Sequence, residues 1–285
     1  MKLSEINIRD PFVLPYDGKY YMYGSRGFEA TGFDVYESRD LENWNMIASV
    51  FEYHKGFWGE KEFWAPEVHQ YNGKFYMFAS FNSETEHRGT QILIADSPKG
   101  PFSEHSDKAI TPHNDDCLDG TLYVDERGTP YLIYCHEWTQ IGNGTVCAAE
   151  LSKDLKRLVS EPVVLWKGSD ACKADECFMS GQYITDGPFV IKIGDELICL
   201  WSTIINGSYK QIISRSDNGG IFGNWTVDEK FLYDDDGGHG MIFETFEGDK
   251  MFIYHSPNTL KEERPHMKSI SLECLANNHR QNLYT

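Results

Sequence analysis

Asp10–Ser25 reads DPFVLPYDGKYYMYGS: an apolar strand, an Asp-Gly turn and a second strand rich in aromatic residues. Asp-Gly between two such runs is hairpin chemistry. The phrase recurs. Gly18, Gly73, Gly128, Gly194 and Gly248 are followed by KYYMYGS, KFYMFAS, TPYLIYC, DELICLWS and DKMFIYH, at intervals of 55, 55, 66 and 54 residues. Each glycine is preceded by a short apolar strand: PFVLPYD, PEVHQYN, TLYVDER, PFVIKI and MIFETFE. A third strand closing on Ser follows in each unit (DVYESRD, QILIADSP, VCAAELSKD, QIISRSD, KSISLE), with no amphipathic helix between units.

Repetition at this period is the signature of an array of like supersecondary units. Three or four short antiparallel strands repeated five times predict an all-β, five-bladed β-propeller. The second strands are apolar on both faces, as strands sandwiched between neighbouring blades should be. The 285 residues would form one domain, with blades at 1–55, 56–112, 113–175, 176–232 and 233–285.

Composition narrows the partners. At 40% hydrophobic and 25% charged residues the chain is a folded globular protein, and its net charge of −18 repels phosphate backbones and anionic membrane surfaces. No nucleic-acid or membrane partner is expected. No apolar run approaches the ~18 residues of a membrane helix, and Met1–Asp10 lacks a signal-peptide core, so a cytoplasmic location is expected. The seven cysteines form no CxxC pair, and reduced thiols are expected.

In a propeller the first strand of each blade lines the central channel, so equivalent positions become neighbours at one mouth. Eight or nine residues before the five glycines stand Asp10, Ala65, Asp119, Asp186 and His239. Three carboxyls held together repel one another, an arrangement tolerated mainly where chemistry uses acids of separated pKa. The ends of the second strands return to the same mouth and bring a second ring: Ser25 and Arg26, Phe81 and Asn82, His136 to Trp138, Trp201 and Ser202, His255 to Asn258. Phe81, Trp138 and Trp201 offer apolar faces, and Arg26, Asn82, His136 and His255 offer hydrogen bonds. That mixture suits a sugar.

With these residues in place, the chain resembles glycoside hydrolase family 43, whose members are five-bladed propellers acting on arabinose- and xylose-containing plant polysaccharides. The resemblance rests on RDPF at Asp10, FWAPEV around Trp64 to Glu67, LDGT at Asp119, TDGPF at Asp186 and GGHGMIF at His239, in that order over nearly the whole chain. It implies an inverting hydrolase that needs no cofactor for its chemistry, with a small oligosaccharide as partner. Asp10 would be the general base and Asp119 the residue that tunes the acid. His239 would be the central-channel histidine beside a water or a cation, often calcium. Arg264 in ERPHM would bind the sugar, with Trp64 and Glu67 beside the pocket, or Glu67 bracing it.

The sequence departs from the family where its general acid, a glutamate before Gly-Pro, is replaced by Asp186. Aspartate is shorter by about 1.5 Å, and a misplacement of about 1 Å can reduce a rate on the order of a hundredfold. Three readings stay open: Asp186 still serves; Glu137 or Glu176 supplies the proton; or the chain is a carbohydrate-binding propeller with a degenerate site.

Overall fold

The computed structural model describes residues 1–276. It is a ring of five antiparallel meanders. The first is β1 (Arg9–Tyr16), β2 (Lys19–Ser25), β3 (Gly32–Ser38) and β4 (Trp44–Glu52); the second is β5 (Lys61–Tyr71), β6 (Lys74–Asn82), β7 (Gly89–Ala95) and β8 (Ser103–Glu104). The third is β9 (Cys117–Val124), β10 (Pro130–His136), β11 (Thr145–Glu150) and β12 (Val163–Lys167). The fourth is β13 (Asp186–Ile193), β14 (Glu196–Ile205), β15 (Ser208–Ser216) and β16 (Trp225–Val227), and the fifth β17 (Gly238–Glu244), β18 (Lys250–Ser256) and β19 (Arg264–Ser269). No helix among the described residues is long and apolar enough to cross a membrane.

Second strands are buried on both faces because each lies between two blades. Tyr20 to Ser25 of β2 and Phe75 to Phe81 of β6 are all buried. This two-sided burial corrects two rim expectations. Phe81 is fully buried, its ring edge-on to Phe63 (centroids 4.8 Å apart) and Phe57 (4.9 Å) in the core between the first two blades. Trp201 is fully buried beside Trp166, and its Nε1–H donates to Ser214 Oγ over 2.8 Å. Neither reaches the mouth, because a strand that packs against blades on both sides has no face left for solvent.

The ring closes through its N-terminal segment. Ile6 and Ile8 share a core with Met241, Phe243 and Ile253 of the fifth blade. Asn7 Nδ2 donates to the Glu263 carbonyl (2.7 Å) and Arg9 Nη1 to Glu263 Oε1 (3.1 Å). Burying apolar surface across this seam stabilises closure at about 25 cal/mol per Å². Cys117, Cys135, Cys147, Cys172, Cys177 and Cys199 are free thiols; the side chain of Cys274 lies outside the described residues.

Candidate active site

Every first strand carries an irregularity near its start, two in β5, and it builds the site. The register slips between Arg9 and Phe12, Trp64 and Glu67, Asp186 and Phe189, and Gly238 and Met241, with the matching slip in β9 opposite Ile133 and Cys135. Such bulges re-aim side chains. At each one a residue takes positive φ: Asp10 (54°), Ala65 (46°), Asp119 (56°), Gly187 (53°) and His239 (47°). These five form a floor across the channel. The residues one step nearer the mouth, Arg9, Trp64, Leu118, Asp186 and Gly238, are the ones paired with the ends of the second strands, and they form a wall.

This corrects the register of the fourth blade. Asp186 is not the floor equivalent of Asp10 and Asp119; Gly187 is, and Asp186 belongs to the wall. The reason is steric. A Cβ at Gly187 would stand 2.6 Å from the His239 ring, so the fourth blade cannot carry a side chain on the floor beside that imidazole.

Left-handed backbone at a residue other than glycine is strained by ~1–3 kcal/mol, and the neighbouring blade holds it in place. Ser25 Oγ accepts the Ala65 N–H (2.8 Å), Ser80 Oγ that of Asp119 (2.8 Å), Ser202 Oγ that of His239 (2.8 Å), and His255 Nδ1 that of Asp10 (3.2 Å). The third blade has Cys135 at this place, and the Gly187 N–H donates to Asp119 Oδ2 instead (2.9 Å). Thus Ser25, Ser202 and His255, read from sequence as rim residues, fix the floor residues of the neighbouring blades.

Acidities diverge within the site. His239 Nδ1 lies 3.1 Å from Asp10 Oδ1 and 3.7 Å from Asp119 Oδ2. Burial works against the imidazolium, but Asp10, Asp119 and Asp186 around it raise its pKa. Burial also opposes ionisation of Asp10. The opposing pull of His239, Arg9 and a 2.6 Å hydrogen bond from Ser25 Oγ is stronger and brings Asp10 to about 2. Asp119 goes the other way: burial, only partly offset by His239, and the charges of Asp186 and Asp10 push it to about 7. Burial and Asp10 raise Asp186 too, against His239, Arg9 and a 3.1 Å hydrogen bond from the Tyr209 O–H. His255, pulled down to about 3 by burial and Arg9, is neutral; its Nδ1 accepts from Asp10 and its Nε2–H donates to Asn258 Oδ1 (3.1 Å).

A cavity of about 250 Å³ opens over these groups, with Asp10, Asp119 and His239 below and Asp186, Arg9, Trp64, Trp138, Phe28, Glu137 and Tyr209 around it. A second cavity of about 460 Å³ adjoins it, sharing Arg9, Ser25, Gly27 and Phe28, with Arg26 on its far side.

The expected residues divide. Asp10, Asp119, Asp186, Glu137, Trp64, Trp138 and His239 line the first cavity. Glu67 lies beneath it, bonded to Thr121 Oγ1 (2.5 Å) and His69 Nε2 (3.0 Å), and braces the channel. His136 turns to Gln140 (2.7 Å) outside the lining, and Asn82 to Glu62 (2.7 Å). Glu176 accepts from the Lys173 backbone in a loop away from the cavity. Arg264 is a clear correction: it donates to the carbonyls of Ser4 (3.1 Å), Lys261 (3.3 Å) and Glu263 (2.7 Å), tying the seam together. The arginine of the site is Arg9, which the sequence reading passed over. Its wall position next to Asp10 in Arg-Asp-Pro was the available signal. Tyr209 was missed as well, because it comes from a third strand, outside both rings.

Glu137 is ion-paired with Arg88, which also holds Glu62 and lies over the Trp64 ring, 4.6 Å from its centroid. Burial raises the pKa of Glu137 in spite of Arg88. A cation at His239 would need further ligands. Among the described residues no three or more His, Cys, Asp or Glu side chains are grouped to hold one, so the calcium expectation finds no protein donor set there.

Known proteins share this fold. An endo-arabinase structure from Bacteroides thetaiotaomicron is 37% identical and superposes with a TM-score of 0.89, over 95% of this chain and 96% of that one. A thermostable family-43 glycoside hydrolase is 25% identical with a TM-score of 0.82, over 93% and 89%. Among curated proteins, extracellular endo-alpha-(1->5)-L-arabinanase 1 of Bacillus subtilis (strain 168) is 27% identical over 145 residues, 47% of this chain and 45% of that protein. A putative beta-xylosidase of Xylanibacter ruminicola is 27% identical over 166 residues, 56% of this chain and 30% of that protein. The matched stretches span less than half the length of these curated relatives. The profile of glycosyl hydrolases family 43 matches residues 3–275, and with five bladed sheets and the three carboxyls in one cavity, the chain belongs to that family.

Proposed function

We propose that the chain is an inverting glycoside hydrolase acting on arabinose- or xylose-containing oligosaccharides. One observation carries this reading: three carboxyls share a cavity while their surroundings pull their acidities apart, Asp10 to about 2 and Asp119 to about 7, with Asp186 raised as well. A site that only binds sugar gains nothing from that division. Hydrolysis with inversion needs an ionised base to take a proton from water and a protonated acid to give one to the leaving oxygen. Asp10 fits the base. Asp186, on the wall, fits the acid, and Asp119, on the floor between His239 and Gly187, fits the group that tunes it.

Glu137 fits the acid less well, because its carboxyl is engaged by Arg88 even though burial raises its pKa. Trp64, Trp138 and Phe28 supply ring faces for a pentose, and the adjoining cavity leaves room for further sugar residues. The 37% identity to an endo-arabinase favours arabinose chains over xylose.

The test is a proton NMR time course with linear 1,5-arabino- and 1,4-xylo-oligosaccharides. Prompt appearance of product with inverted anomeric configuration supports the reading. Asp10→Asn should lower the rate by roughly 10²–10⁴-fold, the usual contribution of a general base. Sugar binding without turnover, unchanged in Asp10→Asn, would replace the enzyme with a carbohydrate-binding propeller.

A further inference from the structure

Tyr209 stands at the start of β15, where the turn at Asn206-Gly207 brings it back over the mouth. Its ring stacks on His255, with centroids 5.5 Å apart and 20° between the planes. Its backbone is held by Asp236 Oδ1, 3.2 Å from its N–H, and by the Gly237 N–H, 2.9 Å from its carbonyl. The hydroxyl points into the catalytic cavity and donates to Asp186 Oδ2 over 3.1 Å. Nothing in the reaction proposed above uses it.

We infer that Tyr209 is a positioning residue for the general acid, aiming the short Asp186 carboxyl into the cavity and stabilising the carboxylate that remains once its proton has left. The inference rests on Asp186 being the acid. In that step the Asp186 O–H bond breaks and its proton goes to the glycosidic oxygen, which takes the electron pair of the breaking C–O bond. Tyr209 keeps its own proton throughout. Before the transfer its hydrogen bond meets a neutral carboxyl, and after it a carboxylate. Charge-assisted hydrogen bonds are roughly twice as strong as neutral ones, so the contact strengthens toward the transition state, where it accelerates the reaction. The rigid stack on His255 and the two backbone ties let an aspartate do what would otherwise need a longer side chain.

The groups facing Asp186 are Arg9 and Asp10 from β1, Asp119 from β9, Cys135 and Glu137 at the end of β10, and His239 from β17. Tyr209→Phe leaves all of them in place and keeps the ring stack. It removes one donor to the carboxylate, so the pKa of Asp186 rises and the alkaline limb of the pH profile moves up.

The experiment compares Tyr209→Phe and Asp186→Asn with the unaltered protein on two substrates: the oligosaccharide it hydrolyses best among 1,5-arabino- and 1,4-xylo-oligosaccharides, and the 2,4-dinitrophenyl glycoside of the same sugar chain, whose leaving group needs no proton. Tyr209→Phe should lower kcat on the oligosaccharide about tenfold, a transition-state difference of about 1.4 kcal/mol. KM and turnover of the aryl glycoside should stay within about twofold, and the alkaline limb should move upward. Equal loss on both substrates with an unmoved limb would overturn the inference and reduce Tyr209 to packing against His255. Asp186→Asn retaining the full oligosaccharide rate would instead overturn the assignment of the acid, a result read independently of Tyr209.

Discussion

Asp119→Asn should make the protein more stable near neutral pH while making it a poorer enzyme. Asp119 is 6% exposed, and its pKa is raised from 3.8 to about 7 by burial and by the charges of Asp186 and Asp10. In the unfolded chain the same carboxyl ionises near 4. Because the folded value is the higher, the group's contribution is fully present below about pH 4 and is lost as pH rises toward 7. About three units at 1.36 kcal/mol each make a loss of about 4 kcal/mol by pH 7. An amide is neutral at every pH. Its oxygen can still accept the Gly187 N–H that Asp119 Oδ2 accepts now. The variant should therefore match the unaltered protein at pH 4 and exceed it by up to about 4 kcal/mol at pH 7, or roughly 8 °C in Tm at about 2 °C per kcal/mol for a chain of this size. Asp10 has the opposite dependence, its stabilisation being lost as pH falls from 3.8 through about 2, but it is common to both proteins and cancels in the difference. Thermal unfolding of both proteins at pH 4 and pH 7 reads the effect. A difference in Tm that does not grow between these pH values would refute the reasoning, since Asp119 would then be ionised in the folded protein without penalty.

Three further outcomes follow from the same structure. The pH profile of kcat/KM should stay level on the acid side down to about pH 3, because Asp10 titrates near 2, and should fall on the alkaline side as Asp186, raised above the ordinary aspartate value, deprotonates; a fall already complete at pH 5 would contradict this. Arg88→Met should reduce stability by about 3–5 kcal/mol by leaving Glu62 and Glu137 without their shared counter-charge, and adding Glu137→Gln should restore part of the loss in a chemical denaturation series. Phe81→Ala should reduce stability by about 3–5 kcal/mol through the cavity it leaves with KM unchanged, whereas a raised KM in the still-folded variant would return Phe81 to the mouth.

The five hairpins were legible because a turn, a glycine and a two-sided apolar strand recur together. The register within them was less so, for a reason visible in the turns. Asp17-Gly18 and Asn72-Gly73 have positive φ at both central residues, a type I′ turn with glycine second. In the fourth blade Ile193 pairs with Glu196 around Gly194-Asp195, with positive φ at Gly194 alone, a type II′ turn with glycine first. Counting back from the glycine therefore lands one residue early, on Asp186 in place of Gly187. The rim aromatics failed on a different point: the pattern showed that the second strands are apolar on both sides but not how far toward the mouth neighbouring blades cover them. Trp138 escapes that cover because β10 has ended at His136 and a short helix, Trp138–Ile141, turns it over the cavity.

The shift of one residue bears on the chemistry. Were Asp186 on the floor, it would stand in the same tier as Asp10 and Asp119, with His239 packed against it where only Gly187 now fits. All three carboxyls already feel that imidazolium, and with Asp186 in the same tier their acidities would be harder to separate. On the wall, Asp186 shares its tier with Arg9 and Trp64 and takes a hydrogen bond from Tyr209. Asp10 keeps the strongest share of positive charge, from His239 at 3.1 Å and from Arg9, together with the Ser25 hydroxyl, and stays ionised. Asp119 keeps the weaker share, from His239 at 3.7 Å, and is free to hold a proton. A fivefold repeat thus yields three unlike carboxyls because one blade has glycine on the floor and presents its acid a step nearer to solvent.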